Sequence, residues 1–395
     1  MAATPPSGPR SSVDLFSDAV LDDPYPHLRA LRDAGPAVWL ERHEVYAVTR
    51  YDDVRSVLAD DTTFVSGEGV GLNDVINVLG RGTTLMSDGA EHRVQREIIG
   101  RPLTPRALSD LRPDAQTIAD ALVDRLVVAR TFDAVTDLAE VLPATWVPDL
   151  LGWPSDGRDR LLAWAAANFD GLGPPNERSA AAGGGILEMS EYAQRLATMQ
   201  LPDDCFAARI LRAADRGEID PDRCPMLFVD YLAPSLDTTI SAIGNAVWLL
   251  ATHPDEWRRL RAEPHRVKAA LNEAMRVESP INCFTRVAAT DTHLGDVPIP
   301  AGARVMLSFA SANRDERRWP EPERYDVTRE NAGHLAFGHG EHACVGMGLA
   351  RLEGAAVLDA LVARVDTLAL AGPPVRRPNN LIRAFASLPV AVIPA

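Results

Sequence analysis

Residues 337–346 read Phe-Gly-His-Gly-Glu-His-Ala-Cys-Val-Gly, and the setting of that cysteine governs how the remaining residues are read. Gly338, Gly340 and Gly346 flank Cys344. Glycine lets a backbone turn tightly and lets a flat ligand come close. Residues 345–365, "VGMGLARLEGAAVLDALVARV", carry helical periodicity. The positive end of that helix falls beside the sulfur. This placement lowers the thiol pKa and favours the thiolate, the form that ligates metal. Phe337 can shield the sulfur from water, which tunes the potential of a bound metal.

Three readings compete for the loop. A lone cysteine before a helix is often a small buried hydrophobe. His339, His342 and Cys344 could form part of a zinc site, but such sites want further ligands elsewhere. No partner motif or second cluster supplies them. The third reading is a haem iron held by Cys344, since an axial thiolate pushes electron density onto iron and favours O–O cleavage.

Bulk properties narrow the setting. The chain has 395 residues, 46% of them hydrophobic, enough for a large core. Its formal net charge of −15 argues against nucleic-acid binding, which needs Lys and Arg to neutralise phosphate. Lys268 is the only lysine, a bias better read as genomic than functional. Cys205, Cys224, Cys283 and Cys344 show no CxxC pair and no disulfide framework, which fits reduced thiols in a cytoplasmic protein. The first residues lack the apolar core of a signal peptide. No run of 18 apolar residues suggests a membrane span.

Helical periodicity dominates. It covers residues 52–60, 106–129, 158–169, 190–198, 225–253, 264–278 and 345–365. Strand signals occur at 38–49 as a hairpin, at 285–307, and at 381–393. Residues 171–185, "GLGPPNERSAAAGGG", read as a mobile connection. Residues 311–334 read as a long irregular segment, charged and rich in proline. The expected fold is mostly α with minor β: a polar disordered tail over 1–12, then one large domain over 13–395.

The cysteine loop resembles that of the cytochrome P450 family, the haem-thiolate monooxygenases. That family's loop reads F-G-x-G-x-H-x-C-x-G, and residues 337–346 match every fixed position. The resemblance runs from about Leu21 to Ile393. It implies haem b as cofactor, with Cys344 ligating the iron, and O2 as co-substrate.

Other motifs take their meaning from that resemblance. Glu273 and Arg276 lie three apart on a helix and share a face. Alone they would be a surface pair of little worth. In the family they form E-x-x-R, and Arg324 in "PEPERYDV" matches the third, structural partner. Tyr325 stands where phenylalanine is usual. His92 and Arg96 match the family's propionate-binding pair, where an Arg fork suits a carboxylate. Arg286 and His342 resemble its other propionate contacts. Leu236-Asp237-Thr238-Thr239 lies in the segment expected to cross the oxygen-binding face. There Asp237 and Thr238 are implied to relay protons for oxygen activation. The chain departs from the family at Pro234 and Ser235, where small residues, often glycine, are usual. Proline inside a helix removes an N–H and clashes with the preceding turn, so a kink is expected.

The stretches "APSLDTT" and "NFDGLGPPNERSAA" resemble bacterial members that demethylate small methoxyarenes. Phe169 and Phe385 stand where that subgroup surrounds the aromatic ring, and offset or edge contacts between rings are favourable. Ile281, Phe284 and Thr285 are expected to line the pocket; the resembling proteins carry a smaller residue at the place of Phe284. Residues 67–86 are expected to form a partly mobile apolar cap. The chain ends after the haem domain, so electrons are expected from a separate ferredoxin or a flavin–iron–sulfur reductase. Arg314, Arg317, Arg318 and Arg351 are candidates for docking it. The expected activity is O-demethylation or hydroxylation of a small aromatic. Tailoring of a larger natural product is the alternative enzyme, and a haem sensor or carrier without turnover is the alternative class.

Overall fold

The computed structural model describes residues 8–395. Apolar alternation places Val38–Leu40 and Val45–Val48 in an antiparallel hairpin, with Trp39 opposite Tyr46. Glu44 takes a positive φ of 51° at its turn. Arg304–Ser308 runs parallel to the second hairpin strand, and Cys283–Ala288 pairs antiparallel with Arg304–Ser308. Phe64–Val65 closes one edge of this six-stranded sheet. Arg10–Ser11 closes the other, with Arg10 opposite Trp39. Ordered structure therefore begins ahead of the expected boundary at residue 13; residues 1–7 of the expected tail lie outside the described residues.

The rest is mainly helical. Met347–Arg364, the helix after Cys344, packs on Pro105–Ala129, on Val267–Val277 and on Asp237–Thr252. These form the larger apolar core, and a second core fills the sheet side. Among the described residues, no helix is long and apolar enough to cross a membrane.

Two expectations change. The glycine-rich stretch is not a loop over its whole length, because Glu177–Leu196 is one helix. Asn176 and Ser179 form a reciprocal capping box at its start. Ala182, Ile186 and Met189 bury one face. Gly185 is needed there, since a Cβ would stand 2.9 Å from the Ala167 Cβ. Packing against Leu161–Gly171 thus offsets the weak helix propensity of three successive glycines.

The expected helix over 225–253 is broken rather than kinked. Cys224–Leu232 ends, four residues form a turn, and Asp237–Thr252 begins. Pro234 lies in the turn and has no N–H to continue the ladder. Two side chains take up carbonyls around the break. The Ser235 hydroxyl donates to the Tyr231 carbonyl. The Thr238 hydroxyl donates to the Pro234 carbonyl at 2.7 Å.

Residues 311–334 are irregular after a short helix, as expected, but firmly anchored. Asp315 Oδ2 accepts the Tyr51 N–H at 2.8 Å, and Asn313 Oδ1 accepts the Leu335 N–H at 2.6 Å.

Candidate active site

The cysteine loop closes on itself. The Cys344 N–H donates to the Phe337 carbonyl at 2.8 Å, and the Ala343 N–H to the Gly340 carbonyl at 3.0 Å. Gly340 has a φ of +72°, and a Cβ there would lie 2.3 Å from the Leu58 carbonyl oxygen. Both constraints call for glycine. The loop presents Cys344 to a cavity of about 570 Å3. Phe337, Val345, Gly346 and Leu349 line the same cavity, and the Arg351 guanidinium lies 4.8 Å from the Phe337 ring centre. The Gly346 and Met347 amides donate to the sulfur.

Burial nevertheless pushes the Cys344 thiol up, and it outweighs those amides and the Arg96 guanidinium. The lowering expected from the helix terminus is therefore not the net result for the protein alone. A coordinated metal cation deprotonates a thiol outright. Among the described residues no cluster of three or more His, Cys, Asp or Glu is placed to hold a metal. His339, His342 and Cys344 thus do not assemble the zinc site that the loop allowed.

His92, Arg96, Arg286 and His342 all line this cavity. Gly89–Gly100 carries the first two, and strand Cys283–Ala288 carries Arg286. The His92 and His342 rings lie 4.1 Å apart. Burial, helped by His342 and Arg96, lowers the pKa of His92 to about 4, so the ring is neutral. Its buried Nε2 has no hydrogen-bond partner. Burial also lowers Arg286 to about 10. A buried orphan nitrogen beside two guanidinium groups, all facing one cavity with a cysteine, fits a haem whose propionates they would bind. Asp88 holds this group from behind. Its carboxylate accepts the Ser66 and Gly67 amides at 2.9 and 2.7 Å and lies 3.9 Å from His342 Nε2.

Thr238 lines the cavity, as do Thr239, Pro234 and Ser235. Asp237 points elsewhere: it is buried and bonded to Arg377, while its Oδ2 lacks a partner. Burial raises its pKa against the pull of Arg377.

Phe169, Ile281 and Phe284 line the cavity. Thr285 does not stand with them. Its hydroxyl donates to the Gly71 carbonyl at 3.1 Å and accepts from Arg304 at 3.1 Å, so it pins the capping segment. Phe385 is also displaced from its expected role. It packs on Trp248, ring centres 5.6 Å apart, and under Arg376.

The third member of the buried ion set is also corrected. Glu273 and Arg276 pair at 2.8 Å with both side chains fully buried. Arg329, not Arg324, reaches Glu273, at 2.8 Å. The Arg324 side chain is 51% exposed beside Glu321, and only its backbone carbonyl accepts from Arg276. A second buried ion cluster went unread. Glu278 binds Arg314, Arg376 and Arg383 at 2.8, 2.9 and 2.5 Å, and the Tyr25 hydroxyl at 2.9 Å. Arg314 is therefore committed inside the fold and cannot dock a partner. Nothing local in the sequence separates Arg329 from Arg324, and Glu278 draws its partners from three distant segments.

A model described as Cytochrome P450 matches residues 191–380. The chain is 40% identical over 392 residues to cytochrome p450 CYP199A2 of Rhodopseudomonas palustris, across 98% of this chain and 95% of that protein. It is 33% identical over 392 residues to the vitamin D(3) 25-hydroxylase of Pseudonocardia autotrophica, across 96% of each. The structure of cytochrome P450 CREJ in complex with (4-ethylphenyl) dihydrogen phosphate matches with a TM-score of 0.87 at 27% identity, covering 97% and 99% of the two chains. A cavity fitted for thiolate-ligated haem, and likeness along nearly the whole chain, lead to one conclusion: this chain belongs to the cytochrome P450 family of haem b monooxygenases.

Proposed function

We propose that this oxidoreductase acts on a small aromatic substrate, by O-demethylation or hydroxylation. The observation that carries the reading is the single cavity shared by Cys344, Thr238 and the aromatic side chains of Phe169 and Phe284. Its lining is largely apolar, with Ile186, Ile281 and Leu172 beside the two rings, as suits an arene. The bound aromatic in the structural relative CREJ supports the same class.

Haem held by Cys344 would supply oxygen activation. The protein's own groups bind, orient and move protons. Phe169 and Phe284 would hold the ring. The Thr238 hydroxyl spends its proton on the Pro234 carbonyl, so its oxygen remains an acceptor for a water in the cavity. Asp237, half satisfied by Arg377, would resupply protons from behind that helix. For a methoxyarene, O2, two electrons and two protons give water and a hydroxymethyl ether, which collapses to the phenol and formaldehyde.

The electron donor is proposed to be a separate ferredoxin or flavin–iron–sulfur protein. The exposed Arg317 and Arg318 would meet its acidic face. A cytoplasmic setting fits the free thiols of Cys205, Cys224 and Cys283.

The test has two parts. Dithionite-reduced holoprotein under carbon monoxide should show the strongly red-shifted Soret band of thiolate-ligated haem, lost in Cys344→Ala. Methoxyarenes should then induce a high-spin shift and release one formaldehyde per phenol. A panel that neither shifts the spectrum nor yields formaldehyde would reject the substrate class.

A further inference from the structure

Asp230 lies on Cys224–Leu232, seven residues before Asp237, and faces the cavity with Thr84, Met226 and Val229. Its Oδ2 accepts the Thr84 N–H at 2.7 Å, and the Leu85 amide also donates to the carboxylate. These bonds fix the carboxylate and tie the capping segment to the helix Cys224–Leu232. Asp230 has no ion-pair partner within salt-bridge distance among the described residues; Arg96 acts on it only at longer range. Burial pushes its pKa up to about 6, against the pull of the Thr84 side chain, the two amides and Arg96, so it is charged at pH 7.5.

The other charges of the cavity lie elsewhere. Arg96 and Arg286 stand with His92 and His342 at the cysteine-loop side, where propionates would engage them. Glu353, the remaining cavity acid, is on the helix that follows Cys344, and burial raises its pKa well above the ordinary carboxylate range. Arg96 is engaged with the Ala343 carbonyl, so among the cavity-lining residues Asp230 is a fixed negative charge with no cation at ion-pair distance.

From this geometry we infer that Asp230 sets the substrate class: the cavity takes aromatic substrates bearing a cationic or hydrogen-bond-donating group that meets Asp230, and rejects carboxylates. The inference rests on the small-aromatic reading above. Its physical basis is the cost of a charge in an apolar wall, which a donor or cation relieves and a second carboxylate worsens. Sites built around such a group discriminate strongly against ligands that cannot satisfy it.

The test is calorimetric titration of haem-loaded protein at pH 7.5, with absorption spectra alongside. Four ligands share one ring: 4-methoxybenzylammonium, 4-methoxyphenol, 4-methoxytoluene and 4-methoxybenzoate. The ammonium and the phenol should bind roughly tenfold or more tightly than the toluene, and the benzoate more weakly than the toluene. Asp230→Asn keeps an acceptor for the Thr84 amide. In that variant the ammonium should lose about tenfold, the benzoate should gain, and the toluene should stay within about twofold. Three results overturn the inference: benzoate binding as tightly as the ammonium, an unchanged ranking in Asp230→Asn, or a red-shifted Soret showing the amine on the iron. If no methoxyarene binds, the substrate reading fails by itself. Decyltrimethylammonium and decanoate then decide about Asp230: a cation preference that Asp230→Asn removes upholds it, and equal or inverted affinities overturn it. Should Asp230→Asn not load haem, the wild-type ranking and Asp230→Ser carry the decision by the same criteria.

Discussion

Thr238 is held by the Pro234 carbonyl at 2.7 Å and faces the cavity, so replacing it should disturb proton traffic more than binding. We expect Thr238→Ala to keep substrate affinity within about twofold, because it removes one hydroxyl and one methyl group from an otherwise unchanged apolar lining. Reducing equivalents should instead be diverted to peroxide, measured as peroxide formed per NAD(P)H consumed. Thr238→Ser should retain most of the wild-type coupling. Unchanged coupling in Thr238→Ala would remove this hydroxyl from the relay. Asp237 belongs to a different environment, behind the helix with Arg377. Its place in the chain, one residue before Thr238, hides that the two side chains point to different surroundings.

At the scale of the element, the helix Glu177–Leu196 shows how one glycine differs from the next. A Cβ on Gly184 meets nothing within 4 Å, whereas one on Gly185 stands 2.9 Å from Ala167. Gly184→Ala should therefore stabilise the protein by about 0.4–1 kcal/mol, by reducing unfolded-chain freedom. Gly185→Ala should destabilise it, through overpacking against Leu161–Gly171. Thermal melting of the two variants checks both signs. The same stretch shows why composition misled. Five glycines and two prolines over residues 171–185 signal a loop, yet the capping box and the Ala182–Ile186–Met189 face close a helix. The break at Pro234 has the opposite history: proline predicted the disturbance, and the hydroxyls of Ser235 and Thr238 decided its form.

At the scale of the whole molecule, two buried ion clusters tie the irregular segment to the helices. Removing one partner of a buried ion set typically costs about 3–5 kcal/mol. Arg329→Ala should cost stability on that scale and lower haem retention, since Glu273 loses a partner at 2.8 Å. Arg324→Ala removes an exposed pair with Glu321 and should shift the melting temperature little. Equal effects of the two would contradict the assignment. Glu278 adds a pH dependence. Burial would raise its pKa, but Arg383, Arg376 and Arg314 outweigh burial and hold it below the ordinary range. Its folded pKa lies below its unfolded one, so its stabilisation is complete above the unfolded value, about 4.3. It is lost as pH falls through the lower folded value. Glu278→Gln should thus melt lower than wild type near neutrality, and the gap should narrow in acid.

The sequence by itself determined whatever is written in adjacent residues. The glycine-flanked Cys344, the following helix, the E-x-x-R pair, the His92–Arg96 spacing and the helix-breaking Pro234 are local, because backbone geometry and helical periodicity act over a few residues. Those features sufficed for the family, the haem and most of the fold. Only the tertiary structure decided which side chains share a buried space: Arg329 rather than Arg324 on Glu273, Phe385 against Trp248 instead of substrate, Thr285 on the capping segment, and Asp230 on the cavity wall against Thr84. Buried charges and rings find partners through packing between distant segments, and candidates a few residues apart are told apart only when the chain is folded.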